Sequence, residues 1–225
     1  MSSTIITLIG MPGCGKSTVG KVLAKQLGLD LLDTDNLIEA QENLTLQQIV
    51  DARGNTAFRA IEEQVLTAMP LSPSVISTGG SVVYSEKIMA RLSANSLVIY
   101  LRARLETIEY RVSLAPQRGI ASEGQQTLSD LYAERVPLYE HYGEVVIDSD
   151  DETPESIADT LTKPAAGRKN LLLVVAYHAP HVGASQPTRA PRQAQTRHWH
   201  VRAEPASTSR HGGDASHPSQ STGGH

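Results

Sequence analysis

Apolar positions along this chain follow two alternating rhythms. Thr4-Ile5-Ile6-Thr7-Leu8-Ile9 is a short β-rich run closed by Gly10, and it reads as a buried strand. From Lys16 the spacing changes. Val19, Val22, Leu23 and Leu27 fall at i, i+3, i+4 and i+8, one face of a helix, and Gly28 is a natural stop. Leu29 to Leu32 predicts a second strand running into Asp33-Thr34-Asp35. Thr45-Leu46-Gln47-Gln48 has the form of a capping box and opens a short helix that ends near Gly54. Phe58, Ile61, Val65, Leu66 and Met69 then stripe a longer helix, which Pro70 stops.

The same alternation continues through the second half. Val75 to Thr78 predicts a third strand, broken by Gly79-Gly80, and Ser85 caps a helix with Ile88, Met89 and Leu92 inward. Leu97-Val98-Ile99-Tyr100-Leu101 is the clearest strand, followed by a short helix that reaches Arg111. Residues 112–126 have no period and read as a loop. Thr127 opens a helix carrying Leu128, Leu131, Tyr132, Leu138 and Tyr139 on one face, and Pro137 is expected to kink or divide it. Val145 to Asp148 is a fifth strand, and Pro154 starts a helix continued by Ile157 and Leu161. Strands alternating with helices predict an α/β domain built on a parallel sheet covered on both faces.

Beyond Lys163 the rhythm stops. Half of the 12 prolines and seven of the 8 histidines lie in residues 163–225. Only Leu171 to Ala176 has strand character there, and the remainder has too little apolar content to fold alone. A basic, disordered tail is the favoured reading. Metal binding by its histidines is less favoured, because they are scattered and His198-Trp199-His200 is their tightest grouping. An altered reading frame is a third account of this segment.

Charge sharpens the division. Residues 1–162 hold 12 Lys and Arg against 22 Asp and Glu, a balance of −10, whereas residues 163–225 hold 8 against 2, a balance of +6. An acidic body argues against nucleic acid as the main partner. No apolar run approaches the roughly 20 residues of a membrane span, and the N-terminus lacks the basic-then-apolar form of a secretory signal. With Cys14 as the single cysteine no internal disulfide can form, so the expected compartment is the reducing cytosol.

One motif carries specific chemistry. Gly10-Met11-Pro12-Gly13-Cys14-Gly15-Lys16-Ser17 fits G-x-x-x-x-G-K-[ST] between an expected strand and an expected helix. Gly10, Gly13 and Gly15 let the backbone curl its N–H groups around phosphate oxygens, and the helix adds the positive end of its dipole. Lys16 is expected on the β- and γ-phosphates of a nucleotide, Ser17 on Mg²⁺, and Cys14 and Thr18 complete the nucleotide-binding set. The chain is therefore expected to bind a nucleoside triphosphate with Mg²⁺ and to pass its γ-phosphoryl group to a small polar acceptor.

The acceptor side is read from scattered residues. Asp33 and Asp35 follow the second strand, where ligands gather in open α/β sheets; on an extended segment they point the same way, one serving Mg²⁺ and one an acceptor hydroxyl. An ordinary turn and helix N-cap would use the same residues. Arg59 and Arg135 suit bidentate capture of a carboxylate, although arginines are often plain surface residues. Gly79 and Gly80 permit close approach of a ligand to the backbone, or form a simple turn. Arg118 lies in the loop 112–126 and suits a lid closing on a triphosphate, and Arg111 could stack on a base or be solvated.

As a set, these residues resemble shikimate kinase. The ordered match comprises the phosphate loop, Leu32-Asp33-Thr34-Asp35 with Ile38-Glu39, Phe58-Arg59-x-x-Glu62, Thr78-Gly79-Gly80, an arginine-bearing lid and Arg135-Val136-Pro137-Leu138-Tyr139, across residues 4 to about 162. The resemblance implies a nucleoside-monophosphate-kinase-like, three-layer α/β/α fold with five parallel strands in the order 2-3-1-4-5. It implies a kinase domain over 1–162, with a lid at about 112–126, acting as a monomer on ATP and shikimate in aromatic amino-acid synthesis. Lys16 and Ser17 would then serve phosphates and Mg²⁺, and Asp33 the metal's water shell. Asp35 would bind acceptor hydroxyls and take a proton. Arg59 and Arg135 would grip the acceptor carboxylate, with Gly79 and Gly80 packed beside its ring. Arg118 would reach the transferring phosphate, and Arg111 would flank adenine. Two positions depart from the family pattern. Ser81 follows Gly79-Gly80 where a third glycine is usual, and Arg118-Gly119-Ile120 stands for Arg-Pro-Leu. A kinase for another small hydroxylated acceptor, or a nucleotide-binding regulator without catalysis, are the alternative readings.

Overall fold

The computed structural model describes residues 4–114 and 126–162 and the backbone of 199–201. Its centre is β1 (Ile5–Ile9), flanked on one side by β3 (Ser74–Ser77) and on the other by β4 (Leu97–Arg102). β2 (Asp30–Asp33) pairs with β3, and β5 (Val145–Asp148) with β4, every pair parallel. The order β2-β3-β1-β4-β5 is the expected one. All five residues of β1 are buried although successive side chains point to opposite faces, so both faces of the sheet are covered.

A sixth strand extends this sheet. β6 (Trp199–Val201) runs parallel to β5, with Val145 opposite Trp199 and Ile147 opposite Val201. The sequence pattern gave no sign of it, because three residues are too few to show a period. Its backbone nonetheless takes up hydrogen bonds along the β5 edge, which would otherwise be open. The strand-like run Leu171–Ala176 lies outside the described residues.

The helices follow from their caps. α1 (Lys16–Leu27) ends at Gly28 in the left-handed conformation (φ 65°) and packs against α7 (Pro154–Thr162). α2 (Thr34–Glu42) was not foreseen, because Leu37 and Ile38 are its only large apolar residues. Asp33 caps it by accepting from the Asp35 N–H at 3.1 Å. The Thr45 capping box opens α3 (Leu46–Ala68), with Gly54 (φ 78°, ψ 168°) as the break between the two expected helices. A 3₁₀ turn, Val82–Tyr84, leads into α4 (Glu86–Asn95), capped by Ser85.

Two expectations change in the remaining helices. α5 (Leu105–Leu114) continues three residues into the expected loop, because Val112 packs on the core. Residues 115–125, including Arg118, lie outside the described residues. α6 (Leu128–Tyr142) runs through Pro137 undivided. Tertiary contacts hold it on either side of the proline. Leu131 and Arg135 are buried before it, and after it the Tyr139 ring stacks on Tyr100 at 5.3 Å. Among the described residues no helix is long and apolar enough to cross a membrane.

The register aligns the carboxyl ends that matter. Leu8 and Asp33 both stand opposite Ser77. The loop after β1, the Asp33 end of β2 and the Thr78-Gly79-Gly80 turn after β3 therefore open on the same edge of the sheet.

Candidate active site

The loop between β1 and α1 closes around one ammonium group. Lys16 is buried, and its Nζ donates to the carbonyls of Gly10 at 2.9 Å and Met11 at 3.0 Å, with Cys14 Sγ at 3.8 Å. The loop can be this tight only with glycine at its entry. Gly10 has φ 147°, and a methyl group there would lie 2.6 Å from the Leu101 carbonyl oxygen and 2.8 Å from Cys14 Sγ. Gly15 forms the N-cap of α1 with no side-chain cap. The first-turn amides, through Ser17 and the exposed Thr18, thus have neither an intrahelical carbonyl nor a side-chain oxygen as partner. Backbone donors, a helix N-terminus and a buried cation together form an anion cradle.

Ser149 and Arg111 fix the far wall of this cradle. Ser149, just after β5 and buried, shares its hydroxyl between the carbonyls of Cys14 at 3.0 Å and Arg102 at 3.1 Å. Arg111 Nη2 donates to the carbonyls of Ser149 at 2.7 Å and Asp150 at 3.1 Å. A methyl group on the exposed Gly13 would lie 3.8 Å from Arg111 Cβ, so this half-buried arginine stands directly beside the loop. Ser149 had no motif to mark it in the sequence.

The two aspartates separate, because Asp33 ends a strand while Asp35 already belongs to a helix. They do not share one direction as they would on an extended segment. Asp33 faces the loop, where its Oδ2 accepts from Ser17 Oγ at 2.8 Å; Ser77 Oγ lies 3.2 Å from the same hydroxyl. It is also the N-cap of α2, as the turn-and-cap reading of this residue expects. Asp35 faces the turn after β3. A methyl group on Gly79 would lie 2.8 Å from Asp35 Oδ1 and 2.9 Å from Glu62 Oε1.

Four elements meet at that turn. From α6, Arg135 and Tyr139 sit four residues apart on one helical face. Arg135 is 1 % exposed, and its Nη1 would be 3.1 Å from a methyl group on Gly80. The Tyr139 hydroxyl donates to the Gly80 carbonyl at 2.6 Å. From α3 come Arg59 and Glu62. Pro12 of the phosphate loop touches the same place, its Cδ 2.9 Å from that Gly80 methyl position. The cradle and the turn are therefore adjoining parts of one site.

Glu62, named only as part of the family motif, received no role from the sequence. Positions 58, 62, 65, 66 and 69 form one helical face, so a glutamate at 62 falls among buried apolar residues. It is 2 % exposed and accepts from Ser81 Oγ at 2.8 Å. Burial pushes its carboxyl up from 4.5 to about 7; the Ser81 hydrogen bond and the Arg135 and Arg59 guanidiniums pull down, and the Asp35 carboxylate pushes up. Two carboxylates, two guanidiniums and two glycines thus gather around one turn, a chemistry suited to an acceptor bearing both an anionic group and hydroxyls.

Comparison with known proteins agrees with this chemistry. A family model described as shikimate kinase matches residues 12–165. The shikimate kinase of Thermobifida fusca is 36 % identical over 170 residues, covering 74 % of this chain and 98 % of the relative. That of Thermodesulfovibrio yellowstonii is 35 % identical over 161 residues, covering 70 % and 92 % respectively. Among solved structures, shikimate kinase from Acinetobacter baumannii in complex with shikimate superposes with a TM-score of 0.67 at 27 % identity, covering 79 % of this chain and 96 % of that one.

Proposed function

The chain belongs to the shikimate kinase family, ATP-dependent phosphotransferases that act on a hydroxyl group, and from this premise we propose that it transfers the γ-phosphoryl group of ATP to the 3-hydroxyl of shikimate. The observation that carries the reading is the junction of a phosphate cradle with a turn ringed by Arg135, Arg59, Asp35 and Glu62.

Each residue then has a task. Lys16 and the first-turn amides, with Gly10, Gly13, Cys14, Gly15 and Thr18 shaping the cradle, bind the triphosphate. Ser17 and Asp33 offer the hard oxygen donors that Mg²⁺ takes, and they stand 2.8 Å apart at the base of the cradle. Ser17 would hold the ion directly and Asp33 through its water shell, and the ion would supply charge neutralisation at the phosphates. Arg111 flanks adenine, and Arg118 comes from the segment 112–126 to the transferring phosphate.

Arg59 and Arg135 grip the shikimate carboxylate, while Gly79 and Gly80 leave room for its ring. Asp35 accepts a hydrogen bond from the reacting hydroxyl. As that oxygen bonds to the γ-phosphorus, the bond from the γ-phosphorus to the β,γ-bridging oxygen breaks and ADP leaves. The hydroxyl proton passes to the Asp35 carboxylate. Positioning and charge neutralisation supply most of what phosphoryl transfer needs. The same reading takes residues 1–162 as the kinase domain, a monomer in the cytosol, with 163–225 as an appendage. The buried single thiol of Cys14 and the acidic body, which disfavours nucleic acid, support this setting.

The test is ADP release with Mg²⁺ and ATP, with and without shikimate, for the full chain and for a version ending at Leu161. Shikimate-dependent ADP formation is expected from both. Intact ATP binding without it would favour another hydroxylated acceptor. Nucleotide binding without turnover on any acceptor would favour a regulator.

A further inference from the structure

Tyr84 is assigned no role by the motifs, yet it touches both halves of the arginine pair. It ends the 3₁₀ turn that follows Gly79-Gly80-Ser81 and is half-buried. Its ring lies beneath the Arg59 guanidinium, 4.1 Å from Cζ to the ring centroid. Its hydroxyl oxygen accepts from Arg135 Nε at 3.0 Å, and Arg135 Cζ is 5.2 Å from the same centroid. One phenol therefore engages two cations that come from different helices, α3 and α6.

The chemistry of this contact favours anion binding. Two guanidiniums held close together repel, and a carboxylate between them would relieve the repulsion at the cost of their charge. A phenol relieves it differently. The electron-rich ring face attracts one guanidinium and the oxygen lone pair orients the other, without placing a further negative charge between them. Arg135 meets Tyr84 through Nε, and its Nη1 lies beside the Gly80 turn. Across the same pocket Ser81 holds Glu62 through its hydroxyl, so the short segment 81–84 braces the clamp at two points.

We propose that Tyr84 is a positioning residue for acceptor binding: its ring seats Arg59 and its hydroxyl aims Arg135, so that both forks meet one carboxylate of the acceptor. The proposal rests on the acceptor assignment made above. It predicts a graded loss. Tyr84→Phe keeps the ring and removes the hydroxyl, which accepts from Arg135 and also hydrogen-bonds the Glu134 carboxylate, and should raise the shikimate KM about tenfold, as expected for loss of the hydrogen bond to the charged Arg135. Tyr84→Leu removes both contacts and should raise it a further several-fold to tenfold. The ATP KM should stay within about twofold in both, because neither contact faces the phosphate cradle.

The experiment is steady-state kinetics on the full chain and the two variants, varying shikimate at saturating ATP and ATP at saturating shikimate. A shikimate KM rising in the order parent, Phe, Leu, with the ATP KM held, supports the proposal. Equal shikimate KM values in all three proteins overturn it while leaving the kinase reading intact. A parallel rise in both KM values, or a fall in kcat alone, overturns it in favour of a merely structural tyrosine. Absence of shikimate-dependent turnover in the unmodified chain overturns the acceptor assignment and this proposal together.

Discussion

Replacing Glu62 with glutamine changes the charge of this side chain while keeping its length and its acceptor for Ser81. Glu62 is buried, and burial is the largest influence on it, raising its pKa from 4.5 to about 7. In the unfolded chain that environment is gone, and the group titrates near 4.5. Between the two values the folded protein holds the extra proton, so the unfolded state binds fewer and stability falls as pH rises. The contribution is fully present below about 4.5 and is lost as pH climbs through about 7. At about 1.4 kcal/mol per pH unit, ionising this buried group costs the fold roughly 3 kcal/mol once the loss is complete.

Glu62→Gln has nothing to ionise and should lack that loss. Urea unfolding followed by circular dichroism, for parent and variant at pH 5, 6.5 and 8.5, measures it directly. Near pH 5 the two should unfold with similar free energies. By pH 8.5 the variant should have gained on the parent by up to about 3 kcal/mol. A gap between the two that does not change with pH would refute the reasoning. So would a variant that is the weaker of the two at pH 8.5. Either outcome would mean that Arg135 and Arg59 stabilise the carboxylate by as much as burial penalises it, leaving Glu62 an ordinary ionised partner of the clamp.

Further substitutions separate the two halves of the site. Lys16→Ala should lower kcat about a hundred- to a thousandfold, since it removes the buried cation of the cradle; near-parental kcat would take Lys16 out of the chemistry. Arg135→Ala should raise the shikimate KM far more than the ATP KM, and equal effects on both would deny the clamp role. Gly79→Ala would place a methyl group 2.8 Å from Asp35 Oδ1 and 2.9 Å from Glu62 Oε1. Displacement of Asp35 should then cost up to about a hundredfold in kcat with ATP binding retained, measured as ADP release beside nucleotide titration. Unchanged turnover would mean that Asp35 does not need its present position.

How far the sequence led depended on how locally each feature is encoded. The phosphate cradle is written in eight consecutive residues, with a strand before and a helix after, so Gly10 to Ser17 could be placed before any coordinates. The strand order followed from the family resemblance rather than from periodicity, which cannot say which strands pair. Short elements escaped because a period needs length. α2 offers two large apolar residues, and β6 has three residues in all. Pro137 does not divide its helix, because local rules weigh only the lost backbone bond, whereas Arg135 and Tyr139 anchor the helix on both sides of it.

The acceptor pocket is the opposite case, because its parts converge only in three dimensions. Arg59 and Glu62 lie on α3, Asp35 on α2, Arg135 on α6, and Ser81 and Tyr84 after β3. Nothing in the spacing of Tyr84 relative to Arg59 or Arg135 says that one ring will touch both. Glu62 was legible in principle, as a charge on a buried stripe, and the cost of burying that charge makes such a position informative. A protein core tolerates a group of this kind only where other polar groups face it. A glutamate in phase with Phe58, Val65 and Leu66 therefore implies that polar groups from elsewhere in the chain face it, and here they are the Ser81 hydroxyl, which donates to it, and the Arg135 and Arg59 guanidiniums, which act on it as charges. The residues that depart from the family pattern follow the same logic. Ser81 in place of a glycine supplies a hydrogen bond to the buried Glu62 carboxyl, so the substitution contributes to the electrostatics around the turn rather than interrupting it.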